Sequence, residues 1–268
     1  MSFLRSEKLQ THIRYLLEKG AMYRVCNGNL LYHGCIPMEP DGSFTRVTMG
    51  DKTYFGKSLM DACDRLCRTA MYDRRMENTD LLWYLWCGPY SPLNGKDKIA
   101  TFERTFLDDP EARTEQKNPY YDLWNSGETA RTILTEFGVD FERGHIINGH
   151  VPVRKTKGDT PIKANGKFIN IDGGLSKAYQ PVTGICGYTL VYSSHELYLA
   201  EHQPFDPDTA ARESADVLSR TIMIEQYPDR LRVRDTDGGA DVERRIADLK
   251  KLLAAYRSGL VRTPSRME

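Results

Sequence analysis

The sequence predicts a mixed α and β fold, and three observations carry the prediction. Apolar residues recur at helical spacing in several segments of the 268-residue chain. Short apolar runs bounded by Gly, Asn and Pro lie between these segments and indicate β-strands. The Asn27-Gly28 pair joins two of those runs, which is a strong signal for a β-hairpin.

The predicted helices carry apolar residues on one face and are bounded by loop or stop signals. Leu9, Ile13 and Leu16 lie at roughly helical spacing before Gly20, where we expect the first helix to end. The predicted helices are, in chain order, residues 3–19, 58–76, 79–86 and 127–137, a segment that begins near Asp208, and residues 241–256.

The predicted strands are short and lie next to turn residues. They are Met22–Val25, Leu30–His33, a polar hairpin that ends near Phe55, Ile146-Ile147, Phe168–Ile171, Gly187–Tyr192, Glu196–Ala200, and a basic strand near Leu231–Val233. Cys87–Lys98 is a loop rich in Gly and Pro. We expect a boundary near Pro204–Pro207, so that residues 1–204 form the main domain and residues 205–268 an extension packed on it.

Charge and composition narrow the class of protein. The 37 basic and 37 acidic residues balance, so we expect no broad surface for nucleic acid or for a membrane. No apolar run approaches the length of a membrane span, and the charged amino-terminal segment does not read as a signal peptide. The six cysteines form no Cys-x-x-Cys pair, and scattered thiols predict a reducing, cytoplasmic location.

Two histidines have the same local setting at the ends of predicted strands. His33 follows Leu30-Leu31-Tyr32 and precedes Gly34, while His150 follows Ile146-Ile147-Asn148-Gly149. Ligands and metals gather at strand ends in α/β sheets, and glycine lets the backbone pass close to such a site. The alternative for each is a histidine that caps a strand end in an ordinary loop. We interpret the pair as candidate metal ligands.

Lysines near glycines form the second group of candidates. Lys163, Lys167 and Lys177 flank one predicted strand, and Lys96 lies in the Gly/Pro loop. A lysine supplies a point charge for phosphate, and glycine N–H groups can complete the cradle. Solvated Lys-Gly turns are the alternative. Together with the histidines, these residues favour metal-assisted hydrolysis of a phosphate ester, although two histidines alone hold no catalytic pair of metals.

Several long strings in the chain carry a family resemblance. They are NGNLLYHGCIP, GHIINGHVPV, PIKANGKFINIDGG and SKAYQPVTGICGYTL. The chain resembles class III fructose-1,6-bisphosphatases in these strings and over essentially its whole length. That family belongs to the calcineurin-like metallophosphoesterases, so the resemblance implies part of a β-sandwich flanked by helices.

The resemblance also implies that motifs are missing. The family assembles its dinuclear site from Asp-x-His, Gly-Asp-x-x-Asp-Arg-Gly, Gly-Asn-His-Glu, a strand-end His and Gly-His, in that order. His33 matches the strand-end His and His150 the Gly-His, while the first three motifs occur nowhere in the 268 residues. We therefore expect the carboxy-terminal portion only, left by a truncated reading frame, a split gene or a start codon assigned too late.

By resemblance, the intact enzyme removes the 1-phosphate of fructose 1,6-bisphosphate with two divalent metals, expected to be Mn²⁺. His33 and His150 would ligate one of them. The loop of Lys163 and Lys167 would hold the distal phosphate, a role that rests on the chemistry of lysine and not on a family motif. We expect this chain alone to be inactive. Two kinds of assembly remain open, which are a complex with a partner that carries the missing segment and a homo-oligomer of this chain.

Two other functions remain open at this stage. One is a different calcineurin-like phosphoesterase, such as a protein phosphatase, which the strings KANGK and SKAYQ disfavour. The other is a non-catalytic chain, either inert or working only beside a partner chain. The absent motifs favour this second alternative.

Overall fold

The computed structural model describes residues 5–73, 75–174, 176, 180–184, 187–203 and 219–261. Its helices are α1 (Glu7–Lys19), α2 (Gly56–Tyr72), α3 (Met76–Cys87), α4 (Thr101–Phe106), α5 (Pro110–Arg113), α6 (Gly127–Glu136), α7 (Gln180–Thr183) and α8 (Asp237–Arg257). Its strands are β1 (Tyr23–Cys26), β2 (Asn29–Tyr32), β3 (Val47–Met49), β4 (Lys52–Tyr54), β5 (Ile146–Asn148), β6 (Ile162–Lys163), β7 (Phe168–Asn170), β8 (Gly187–Tyr192), β9 (Glu196–His202) and β10 (Ser219–Gln226). The predicted mixed α and β class is therefore confirmed.

The largest sheet has the strand order β1-β2-β5-β7-β6. The β1–β2 pair is the predicted antiparallel hairpin, whereas β2, β5 and β7 run parallel to one another. Leu30 pairs with Ile146, and Ile146 pairs with Phe168, so these three strands are in register. Parallel strands in register end at the same edge of the sheet. Residues that follow β2, β5 and β7 are consequently brought together. Strands β3 and β4 form the predicted polar hairpin, and β8, β9 and β10 form a third sheet.

The main core lies between this sheet and helices α2 and α6. The most fully buried apolar side chains include Leu30, Ile36, Leu59, Met60, Ile133, Leu134, Ile146 and Phe168. Helix α6 begins at a capped end, where the Ser126 hydroxyl oxygen accepts a hydrogen bond from the Thr129 N–H at 3.2 Å. The apolar stripe of α6 then faces the sheet, as its helical spacing predicts.

The structure corrects the predicted strand near Leu231–Val233. The strand in this part of the chain is β10, and Val233–Asp235 is a short 3-10 helix. The backbone N–H groups of Tyr227 and Leu231 instead donate to the carbonyl oxygens of His195 and Ser194. The segment therefore supplies hydrogen-bond donors to the turn between β8 and β9 and does not extend a sheet. Helices α4 and α5 were not predicted, because four to six residues give little periodicity.

The chain divides into two compact units, which are residues 1–189 with 200–220, and residues 190–199 with 221–268. The predicted helix near Asp208 and the predicted boundary at Pro204–Pro207 lie mainly outside the described residues, and the division at residue 204 stays a prediction. None of the described helices is long and apolar enough to cross a membrane.

Candidate metal site

The two strand-end histidines meet at the carboxyl edge of the parallel strands. His33 directly follows β2, and His150 follows β5 after one glycine. The Gly149 N–H donates to the His33 carbonyl at 2.9 Å, which continues the contact between the two strands beyond their ends. His33 Nε2 lies 3.1 Å from His150 Nδ1, and the two rings are inclined at 75°. The structure thus brings the pair together as predicted.

The spacing of the two ring nitrogens suits a shared metal ion. Two ligands of one metal at bond lengths of roughly 2.0–2.3 Å lie about 3–4 Å apart. The measured 3.1 Å falls in that range. In the absence of an ion the same spacing is a hydrogen bond, in which one ring nitrogen donates to the other.

A backbone carbonyl fixes the orientation of His150. Its Nε2 lies 2.9 Å from the carbonyl oxygen of Asn94, and since a carbonyl only accepts, Nε2 carries the proton. The lone pair is then on Nδ1, the atom that faces His33. Metal-ligating histidines usually donate their other N–H to a carbonyl or carboxylate in this way. His150 also has a φ of 68°, so its backbone is held in a sparsely populated conformation by its surroundings.

The surroundings of His150 also keep its ring neutral. Burial lowers the pKa of His150, and electrostatic interactions with His33 and Lys96 lower it further. The hydrogen bond to the Asn94 carbonyl and the Asp172 carboxylate oppose this effect. The net shift of the pKa is downward, which favours the neutral imidazole that binds metals.

Gly34 allows the Gly/Pro loop to approach the site. A Cβ atom at Gly34 would lie 2.2 Å from the Pro92 carbonyl oxygen, so no larger residue fits without movement of the backbone. The same carbonyl accepts a hydrogen bond from the Cys35 N–H at 3.0 Å. The predicted loop therefore packs against the strand end, and this contact carries Asn94 to His150.

A cavity of about 760 Å³ opens beside the two histidines. Its lining includes Lys19, Arg24, Leu31, His33, His150 and Asp172. The Asp172 side chain follows β7, the third parallel strand, and its Oδ1 accepts a hydrogen bond from the Gly174 N–H at 3.0 Å. One carboxylate and two basic side chains therefore share the cavity with the imidazole pair.

The described residues do not complete a metal centre. No group of three or more His, Cys, Asp or Glu side chains in the described part of the chain could hold a metal ion. The imidazole pair fits one ion as two of its ligands. A catalytic pair of metals also needs carboxylates, one of them bridging, which these residues do not supply.

Three of the four predicted phosphate-binding lysines, Lys96, Lys163 and Lys167, lie in the described part of the chain. Lys163 Nζ is 2.6 Å from Asp159, and Lys167 Nζ is 2.9 Å from the Glu142 carbonyl oxygen. Both lysines lie at the amino-terminal end of β7, whereas His150 lies beyond the carboxyl end of β5. Neither lines the cavity beside the histidines. Lys177 lies outside the described residues, and the phosphate roles of all these lysines stay predictions.

Lys96 is the predicted lysine whose charge acts on the histidine pair. It lies two residues after Asn94, and its charge contributes to the lowered pKa of His150. Its Nζ contacts the Glu115 carboxylate at 2.7 Å. Lys117 was not singled out from the sequence, yet burial and the charges of Arg154 and Lys96 lower its pKa. Lys96, Lys117 and Arg154 therefore lie close enough to one another to interact electrostatically.

Comparisons with known proteins assign the family. The family model described as Firmicute fructose-1,6-bisphosphatase matches residues 1–258. The "Fructose-1,6-bisphosphatase class 3" of Clostridium botulinum (strain Loch Maree / Type A3) is 51% identical over 267 residues. The protein of the same name from Clostridium tetani (strain Massachusetts / E88) is 50% identical over 266 residues. Each alignment covers 97% of this chain but 40% of the relative, so the chain spans about two-fifths of the length of these relatives. No solved structure matches. The chain belongs to the Firmicute fructose-1,6-bisphosphatase family.

Proposed function

We propose that this chain is one part of a metal-dependent, class III fructose-1,6-bisphosphatase of the calcineurin-like superfamily. The reaction is hydrolysis of the 1-phosphate of fructose 1,6-bisphosphate to fructose 6-phosphate, a step of gluconeogenesis. The observation that carries the proposal is the family match over residues 1–258, with the His33–His150 pair inside it. A cytoplasmic location is part of the proposal and accords with the free cysteines at Cys26, Cys35, Cys63, Cys67 and Cys87.

The residues of this chain have two tasks in the proposed reaction. His33 and His150 would hold one of two divalent ions, expected to be Mn²⁺, through the two nitrogens that face each other. The bound metals supply Lewis-acid stabilisation of the phosphoryl oxygens and activate water. Lys96 and the cavity residue Arg24 offer positive charge for the phosphates of the substrate.

We infer that the remaining ligands lie outside these 268 residues. The Asp-x-His, Gly-Asp-x-x-Asp-Arg-Gly and Gly-Asn-His-Glu motifs are absent from the sequence. The relatives have additional sequence that this chain does not match. That unmatched portion is the source we propose for the carboxylate ligands. The absent motifs also favour the second candidate function, a subunit that is not catalytic without a partner chain.

The 268-residue chain by itself should bind Mn²⁺ weakly. Two neutral imidazoles offer no anionic ligand, and Mn²⁺ is the weakest binder among the common divalent transition metals. Isothermal titration calorimetry at about 100 µM protein should show no stoichiometric binding, since we expect a dissociation constant of roughly 1 mM or weaker. A His33→Ala/His150→Ala variant is the matched control. Tight binding with one ion per chain would contradict the expectation and would identify a missed ligand, with Asp172 the first to replace.

The proposed substrate can be tested against the protein-phosphatase alternative. We expect the chain, co-expressed with the unmatched portion of the Clostridium tetani relative, to release phosphate from fructose 1,6-bisphosphate in the presence of Mn²⁺. Release from a phosphoserine peptide should have a kcat/KM at least about a hundredfold lower. Contacts with the sugar would stabilise the transition state for fructose 1,6-bisphosphate, and the peptide cannot make them. Equal or faster turnover of the peptide would refute the proposed substrate.

A further inference from the structure

Helix α8 presents an apolar seam to solvent. Val242, Ile246, Leu249, Leu253 and Tyr256 are each between 42% and 63% exposed, although apolar side chains normally face a core. Their spacing alternates between four and three residues, which is the a/d repeat of a coiled coil. Gly239 is the buried residue of α8. Ordinary surface leucines occur singly, whereas these five form one continuous stripe.

The helix that carries this seam is well defined at its start. The Thr236 hydroxyl oxygen accepts a hydrogen bond from the Gly239 N–H at 3.1 Å, which caps the amino-terminal end. Asp241 then forms ion pairs with Arg244 and Arg245. These ion pairs use residues outside the five-residue seam, whose side chains stay exposed in the described part of the chain.

The charged residues beside the seam favour one orientation of a second helix. In heptad terms, Glu243, Lys250 and Arg257 occupy e positions, and Arg245 and Leu252 occupy g positions. A parallel pair would place Arg245 opposite Lys250 of the other copy, which is repulsive. An antiparallel pair centred near Lys251 would place Glu243 opposite Arg257 twice, which is attractive, and Lys250 opposite its own copy once, which is repulsive. The two attractive contacts outnumber the repulsive one, whereas both Arg245–Lys250 contacts of the parallel pair are repulsive. The antiparallel pair would also place Leu252 opposite Leu252 of the other copy, whereas a parallel pair would place Leu252 opposite Arg257.

We propose that α8 is a self-association element that pairs antiparallel with α8 of a second copy of this chain. Leu249 then packs against Leu253 of the partner copy, and Ile246 against Tyr256 of the partner copy. Two-fold symmetry repeats each contact, so four layers of apolar side chains leave water together. Glu243 and Arg257 close the two ends of the interface.

The assembly state of the purified chain tests the proposal. Sedimentation equilibrium at about 1–200 µM protein should give a dimer with twice the 30.7 kDa mass of one chain. Leu249→Glu/Leu253→Glu should raise the dissociation constant by roughly a hundredfold or more, because charges would enter the centre of the seam. Ala254→Glu is the matched control, since position 254 is exposed beside the seam but points away from it. A wild-type chain that stays monomeric would overturn the proposal and would leave the seam as a surface for a different polypeptide. A dimer that the double variant does not weaken would also overturn it.

A charge-reversal series tests the orientation without disturbing the apolar residues. Glu243 and Arg257 lie about 21 Å apart along one helix, at 1.5 Å per residue, so they cannot pair within one chain. Glu243→Arg and Arg257→Glu should each weaken the dimer by roughly three- to tenfold, and the double variant should restore it. Circular dichroism verifies that the helix persists in every variant. Single reversals without effect, or a double variant that is not restored, would overturn the antiparallel pairing.

Discussion

Turnover of fructose 1,6-bisphosphate is expected only from this chain together with the unmatched portion of a relative, and it should fall at least a hundredfold when His33 or His150 is replaced by alanine. The described part of the chain provides two candidate ligands for one ion, His33 and His150, and no group of three or more His, Cys, Asp or Glu side chains that could hold a metal. Hydrolysis of a phosphate ester depends on charge neutralisation and on an activated water. Without a complete metal site, the electrostatic stabilisation that is usually the largest catalytic contribution is missing.

The histidine variants separate the metal assignment from the need for a partner. His33→Ala removes the ring nitrogen that faces His150 at 3.1 Å, and loss of one metal ligand should reduce kcat rather than raise KM alone. His12→Ala is the matched control, because His12 is an exposed histidine on α1. Each variant is co-expressed with the unmatched portion of the Clostridium tetani relative, and phosphate release is measured with Mn²⁺ present.

Two results would contradict this account in different ways. Robust turnover by the 268-residue chain without any partner would refute the proposal that ligands are supplied from outside it. Turnover of the combined protein that survives His33→Ala and His150→Ala unchanged would refute the metal assignment. If neither result occurs and the combined protein is also inactive, with both parts folded and associated, the non-catalytic function is favoured.

The meeting of the two histidines could be predicted because it depends on local signals. The Asn27-Gly28 turn fixes the β1–β2 hairpin, and apolar runs identify β2 and β5. Parallel pairing then places both strand ends at one edge. The contact from the Asn94 carbonyl to His150 could not be predicted, since it arises from a loop whose conformation depends on packing against Gly34. Sequence spacing carries no information about such a long-range approach.

The lysines illustrate a second limit on what can be predicted from the sequence alone. Lys163 and Lys167 lie close to Asp172 along the chain, and their place beside glycines predicts a phosphate-binding role. A strand separates them, so they lie at its amino-terminal end, and Asp172 follows its carboxyl end. A three-residue strand of roughly 10 Å is enough to move two lysines away from the histidine edge. In contrast, Lys96 is distant in sequence from His150, and its charge still lowers the pKa of His150.

The tyrosine at position 120 is expected to be a main support of the strand ends that carry the histidines. Tyr120 is fully buried, and its hydroxyl lies 2.5 Å from the Tyr32 hydroxyl. The Asn148 side-chain N–H donates to the same Tyr120 oxygen at 2.7 Å. Tyr32 is the last residue of β2 and Asn148 the last of β5, so one hydroxyl links both strands immediately before the candidate site. Burial raises the pKa of both tyrosines, which keeps both phenols protonated.

Tyr120→Ala should lower the free energy of unfolding by about 3–5 kcal/mol, because it removes a buried aromatic ring and leaves a cavity. Tyr120→Phe keeps the ring but leaves the Tyr32 hydroxyl and the Asn148 amide without this partner, so a loss of about 1–3 kcal/mol is expected. Urea unfolding followed by circular dichroism measures both values, with a lower midpoint and an unchanged slope. Tyr15→Phe is the control, since Tyr15 is 66% exposed on α1 and its hydroxyl should contribute less than about 0.5 kcal/mol. A Tyr120→Phe protein as stable as the wild type would show that the shared hydroxyl does not stabilise the ends of β2 and β5. A loss in the expected range would indicate that this buried polar contact stabilises the ends of β2 and β5, which directly precede the segments that carry His33 and His150.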